Sequence, residues 1–127
     1  MRIFKNTWFN RFADKEGISD NELKRIVTKL ENGQFYADLG GGVYKMRVGD
    51  NKFGDYRIIV IFKSNFRTFF VYSFPKSDKG NISKSELQGF KNQAKERLSL
   101  TEEQIEIWLK NRTLIEVKQE EENEIQK

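Results

Sequence analysis

The chain has 127 residues, with 23 Lys+Arg against 19 Asp+Glu, and its 13% aromatic content supplies a core for one domain although a third of the residues are charged. It contains no cysteine and no histidine, which excludes a disulfide scaffold, thiolate metal sites, thiol catalysis and any serine–histidine triad. Residues 1–100 hold 19 basic and 11 acidic residues and residues 101–127 hold 4 and 8, so a net +8 body precedes a net −4 tail, a pattern that suggests a polyanionic partner.

Arg2 to Lys5 is predicted as a short first strand with Ile3 facing inward. Thr7 is the expected N-cap of a helix carrying Trp8, Phe9, Phe12 and Ala13, which make one apolar stripe and read as core; Gly17 breaks it. Ser19-Asp20-Asn21-Glu22 is a capping box. Leu23, Ile26, Val27 and Leu30 follow at helical spacing, and Gly33 ends the second helix. The first third is thus an αα-hairpin.

Gly40-Gly41-Gly42 then punctuates the chain. No Gly-Lys-Ser/Thr follows, so it is no phosphate-binding P-loop, and it reads as a flexible lead into a strand. From Val43 the period changes to two. Val43–Val48 is one strand, Asp55–Lys63 a longer, central one, and Thr68–Phe74 a third, ended by Pro75. Their short spacing predicts an antiparallel meander. Asp50 and Asp55 lack metal-ligand spacing and read as turn residues. Ser83-Lys84-Ser85-Glu86 is a second capping box, leading Leu87, Phe90, Ala94 and Leu98. Thr101-Glu102-Glu103-Gln104 is a third, leading Ile105, Trp108 and Leu109. Leu114–Val117 is a terminal strand or an extended docking segment. Residues 1–117 make a single α+β domain, and residues 118–127 an acidic, frayed tail. No apolar run approaches about 18 residues and Met1-Arg2-Ile3-Phe4-Lys5 starts no signal peptide, so a soluble, cytoplasmic protein is expected, with no membrane partner.

Strand alternation sorts the basic residues. Tyr44, Met46 and Val48 point to the core, so Lys45 and Arg47 project from the opposite face. Arg57 alternates with Tyr56 and Ile58 in the next strand. In the third, Phe70, Tyr72, Phe74 and Lys76 share a face. If the strands pair as a meander, Lys45, Arg47, Arg57 and Lys76 converge on one concave, open surface. Cations with nearby rings are what single-stranded RNA recognition uses, for phosphates and for base stacking. Solvated charges on an exposed sheet face are the alternative.

The order of elements, with FKNTWFNRF (4–12), EGIS (16–19), ADLGGGV (37–43), KMRV (45–48), DYR (55–57), FFVYSFPK (69–76), Asn81-Ile82 and LIEV (114–117), resembles the RelE/ParE superfamily of bacterial toxin–antitoxin modules. It is similar in particular to the RelE-type subfamily with an elongated C-terminus. The resemblance implies a RelE-like fold: an N-terminal strand and αα-hairpin packed on a small, mostly antiparallel sheet, with C-terminal helices. It implies an mRNA interferase, an endoribonuclease that inhibits translation on the ribosome, uses no metal or cofactor, and is held inactive by a cognate antitoxin, expected to be a helix-turn-helix protein. In that chemistry the ribose 2′-OH attacks the adjacent phosphate. A lysine acts as base there only where other cations or desolvation lower its pKa from about 10.4.

Carried over by position, Lys45 is the implied base or phosphate ligand, Arg47 a phosphate ligand, Arg57 the residue that stabilises the transition state, and Lys76 the basic residue at the end of the last strand. Tyr72, on the same face as Lys76, is expected to stack a base, and Ser77 and Lys79 in the following loop are expected RNA contacts. Nucleases of the group have an arginine after the Lys76 position and a tyrosine a few residues on; here Ser77 and Ser83 stand there, so that either Lys76 or Lys79 substitutes as the general acid or the enzyme is slow. The ParE branch, which poisons DNA gyrase on the same fold, and a non-catalytic RNA- or antitoxin-binding module are the rival functions.

Overall fold

The computed structural model describes residues 1–48, 56–75 and 82–118. The elements are β1 (Arg2–Asn6), α1 (Thr7–Glu16), α2 (Asp20–Glu31), β2 (Ala37–Gly40), β3 (Val43–Val48), β4 (Tyr56–Lys63), β5 (Arg67–Pro75), α3 (Lys84–Leu98), α4 (Glu102–Lys110) and β6 (Leu114–Glu116). They form one six-stranded sheet in the order β2-β3-β4-β5-β1-β6. The meander β3–β4–β5 is antiparallel as expected, β1 lies parallel to β5, and β6 closes antiparallel on β1. Among the described residues, no helix is long and apolar enough to cross a membrane.

The sheet separates two cores. Ile58, Val60 and Phe62 pack with Phe9 of α1 and with Leu23, Ile26, Val27 and Leu30 of α2. Ile59 and Ile61 pack on the other side with Phe4, Phe69, Ala94 of α3 and Ile105 of α4. Burial on both faces is why β4 is a nearly unbroken apolar run rather than an alternating one. It also explains why Ile3 and Phe4 are both buried although neighbours in a strand point opposite ways.

All three capping boxes form, at Ser19–Glu22, Ser83–Glu86 and Thr101–Gln104. Helix α1 begins differently from expectation. Its N-cap is Asn6, whose Oδ1 accepts from the Phe9 N–H at 2.7 Å; Thr7 is already helical and its hydroxyl donates to the Arg112 carbonyl. Both are good capping residues, and the length of β1 decides between them.

The triple glycine is a tight turn rather than a flexible lead, and a short strand that the sequence pattern does not announce, β2, precedes it. Gly40, Gly41 and Gly42 have φ of 90°, 65° and 86°, and a Cβ on Gly42 would lie 3.2 Å from Leu98 Cδ1. Only glycine takes three such φ values in succession beneath a packed helix.

Simple alternation also fails in β5. Val60 pairs with Phe70 but Ile59 pairs with Tyr72, so Val71 is an extra residue, a β-bulge. Its carbonyl accepts from Asn6 Nδ2 at 3.0 Å. The bulge leaves Phe70 in the α1–α2 core and turns Tyr72 and Phe74 to the α3 side. Phe70 therefore does not share a face with Tyr72 and Phe74, as strict alternation had predicted.

Charged groups fasten the C-terminal helices to the sheet. Arg67, buried in β5, donates to the carbonyls of Arg97 (3.2 Å) and Leu100 (2.7 Å) and to Glu102 (2.8 Å). Arg2 pairs with Glu102, Glu106 and Glu116, joining β1, α4 and β6.

Candidate functional site

In the β3–β4 ladder Arg47 stands directly opposite Arg57, and Lys45 opposite Ile59. Partnered residues share a face, so Lys45, Arg47 and Arg57 come together as alternation predicted. Their setting is not the open surface expected. Arg47 is exposed, but Lys45 is 6% and Arg57 4% exposed. The face that was to carry solvated charges is the face on which α3 and α4 pack, and the cations sit at its margin.

One ring lies across both buried cations. Arg57 Cζ is 4.6 Å and Lys45 Nζ 5.3 Å from the centroid of Tyr36. Both distances are within cation–π range. The Tyr36 N–H donates to the Lys45 carbonyl at 3.0 Å, extending the β2–β3 pairing by one residue. Phe35 beside it packs on Tyr44, ring centroids 5.2 Å apart. Behind Arg57, the Ser73 hydroxyl of β5 donates to the Arg57 carbonyl at 3.0 Å. Tyr44 itself points away, and its phenol pKa is raised by desolvation first and by Asp38 second, so it stays protonated at neutral pH.

Tyr36 was missed in the sequence. The available signal was Phe35-Tyr36, two large rings in the short segment between a helix and a glycine turn, where polar residues are the rule.

Tyr72 lies opposite Ile59, on the cation face, with its ring 4.9 Å from Trp8, 5.8 Å from Phe90 and 6.1 Å from Phe74. Lys76, Ser77 and Lys79 lie outside the described residues, as do Asp50 and Asp55. Ser83 is engaged as the N-cap of α3, accepting from the Glu86 N–H at 3.0 Å. The expectation that Trp8, Phe9 and Phe12 are all core holds for Phe9. Phe12 is half-buried, and Trp8 is 43% exposed, stacked on Phe12 at 5.5 Å. Among the described residues, no group of three or more acidic side chains is placed to hold a metal ion.

A strand, a helical hairpin, an antiparallel meander and two further helices closed by a last strand on one sheet make this a RelE-like α+β fold. The chain belongs to the RelE toxin family: the family model described as the RelE toxin of the RelE / RelB toxin-antitoxin system matches residues 1–117. It is a toxin of a toxin–antitoxin module, and an antitoxin is its partner. No curated protein matches the chain.

Proposed function

We propose that this toxin is a ribosome-dependent mRNA endonuclease that inhibits translation. The observation that carries the reading is the cross-strand pair Arg47–Arg57 with Lys45 on the same face. Three cations placed together on one face attract a polyanion such as an RNA backbone.

In the proposed reaction the ribose 2′-oxygen attacks the adjacent phosphorus and the bond to the 5′-oxygen breaks. The products are a 2′,3′-cyclic phosphate and a free 5′-hydroxyl. The proton leaves the 2′-OH for a base and another is delivered to the departing oxygen. Lys45 serves as the base or as a phosphate ligand, Arg47 holds a phosphate, and Arg57 faces the negative charge that grows on the phosphoryl oxygens. Fixed cations aimed at developing charge act without the reorganisation that water needs. Lys76 is the fourth catalytic residue of the proposal and serves as proton donor, and Tyr72, Ser77 and Lys79 bind the RNA.

The test is cleavage of mRNA on programmed ribosomes. Arg57→Ala and Lys45→Ala are each expected to lower the rate by about 10²- to 10³-fold, the range for removing one group that stabilises transition-state charge. Both variants should also relieve growth arrest on expression. Full activity in both would overturn the site assignment. Bound but uncut mRNA with the wild type would identify a non-catalytic RNA-binding module. Arrest of DNA replication ahead of translation would identify a gyrase poison.

A further inference from the structure

We propose that Tyr36 is the nucleobase-stacking residue of the RNA site; the proposal rests on the endonuclease reading and adds a residue to it. At 53% exposure Tyr36 is the most open of the large aromatic side chains among the described residues. Arg57 and Lys45 both lie within cation–π distance of its ring, and about half of the residue is open to solvent. The ring is also fixed in place. Its backbone N–H is bonded to the Lys45 carbonyl, and its neighbour Phe35 is packed on Tyr44. A base that stacks on a ring already immobilised loses little additional freedom, and the two cations lie where the phosphate beside that base arrives.

Other exposed rings lack this combination. Trp8 is occupied by Phe12 and Tyr72. Phe66 has two cations on its ring, Lys63 and Arg67, but at the other end of β4 from Arg57. Phe66 is therefore the internal control: the same local chemistry without the Arg47–Arg57 pair beside it.

The experiment compares the full-length wild type with Tyr36→Phe, Tyr36→Trp, Tyr36→Leu and Phe66→Leu on programmed ribosomes. One arm measures KM and kcat at the mapped cleavage codon. The other uses an mRNA with 2′-deoxyribose at the cut position and 2-aminopurine next to it, whose fluorescence is quenched on stacking. Tyr36→Phe and Tyr36→Trp should keep the wild-type KM and the quench, since both keep a π face. Tyr36→Leu should raise KM by roughly 5- to 150-fold, the span of base–aromatic stacking, and lose the quench. Phe66→Leu should match the wild type.

An unchanged KM and quench in Tyr36→Leu overturns the stacking role while leaving the endonuclease reading intact. So does a loss in Tyr36→Phe equal to that in Tyr36→Leu, which would transfer the role to the hydroxyl. A wild type that neither cuts nor binds the mRNA overturns the endonuclease reading and this inference with it. Because the ring is exposed, melting temperatures should stay near wild type in the variants and serve as the folding control.

Discussion

Asn6 performs two jobs with one side-chain amide, and they can be separated. Its Oδ1 caps α1 through the Phe9 N–H, and its Nδ2 satisfies the Val71 carbonyl at the β5 bulge. Losing an N-cap costs about 0.5–2 kcal/mol. Leaving a buried carbonyl unsatisfied costs about 1–3 kcal/mol. Asn6→Ala loses both, so a destabilisation of about 2–4 kcal/mol is expected. Asn6→Asp keeps the cap, and its charge near a helix N-terminus even adds about 0.3–1 kcal/mol. It cannot donate to Val71, however, and sets a carboxylate against a carbonyl. The loss in Asn6→Asp is therefore the lost bond plus the new repulsion, less the gain from the charge. Urea unfolding reads both: with a mid-range slope of about 2 kcal/mol per molar, Asn6→Ala should move the midpoint down by about 1–2 M. Hydrogen exchange should quicken at Ile59 and Val60, where the register shifts, before it does at the β3–β4 pairs. If Asn6→Asp matches the wild type and Asn6→Ala loses no more than about 0.5–2 kcal/mol, the value of the cap alone, the bond at Val71 adds no more than the ~1 kcal/mol that the charge returns and the reasoning from two separable jobs is wrong.

Arg67→Met keeps most of the buried volume but removes the bonds to Arg97, Leu100 and Glu102, so a loss of about 2–3 kcal/mol by urea unfolding is expected, with cleavage at low temperature unchanged. Gly42→Ala forces a Cβ onto a residue at φ 86° and 3.2 Å from Leu98, and should cost about 1–3 kcal/mol in the same assay. The Glu102 carboxyl lies below its ordinary value of 4.5, held there first by the hydrogen bond from Arg67 and then by that from Arg2. A lowered folded-state value means the stabilisation is present above the unfolded value and lost as pH falls through the folded one. The advantage of the wild type over Glu102→Gln should thus be complete at neutral pH and shrink as the solution is acidified below the ordinary carboxylate range, as followed by thermal melting across pH.

What could be read from the sequence was local. The capping boxes at Ser19, Ser83 and Thr101 involve residues three apart, and all form. The facing of Lys45, Arg47 and Arg57 follows from alternation in two adjacent strands, and the ladder keeps it. What escaped depends on distant partners. The bulge at Val71 is completed by Asn6, 65 positions away, and nothing near Val71 announces it. Lys45 and Arg57 are buried with a ring from the segment before β2 over both, and the helices packed on each side of the sheet cover strands that look half-exposed in isolation. Tyr36 escaped because β2 has only four residues, too few to show a period.

The placement of β1 has a consequence for synthesis. The first strand made is an interior strand of the finished sheet, and it must wait for β5 on one side and β6 on the other. Residues 2–5 find their partners at 67–70, and Phe4 to Asn6 theirs at 116 to 114. The β3–β4 hairpin can pair early, but β1 has no partner until β5 is made, and its second edge stays open until residues 114–116 are made. A chain cut short anywhere before Leu114 leaves one flank of β1 bare and lacks the Glu116 carboxylate that grips Arg2. Interrupted synthesis thus leaves a sheet without its β6 edge.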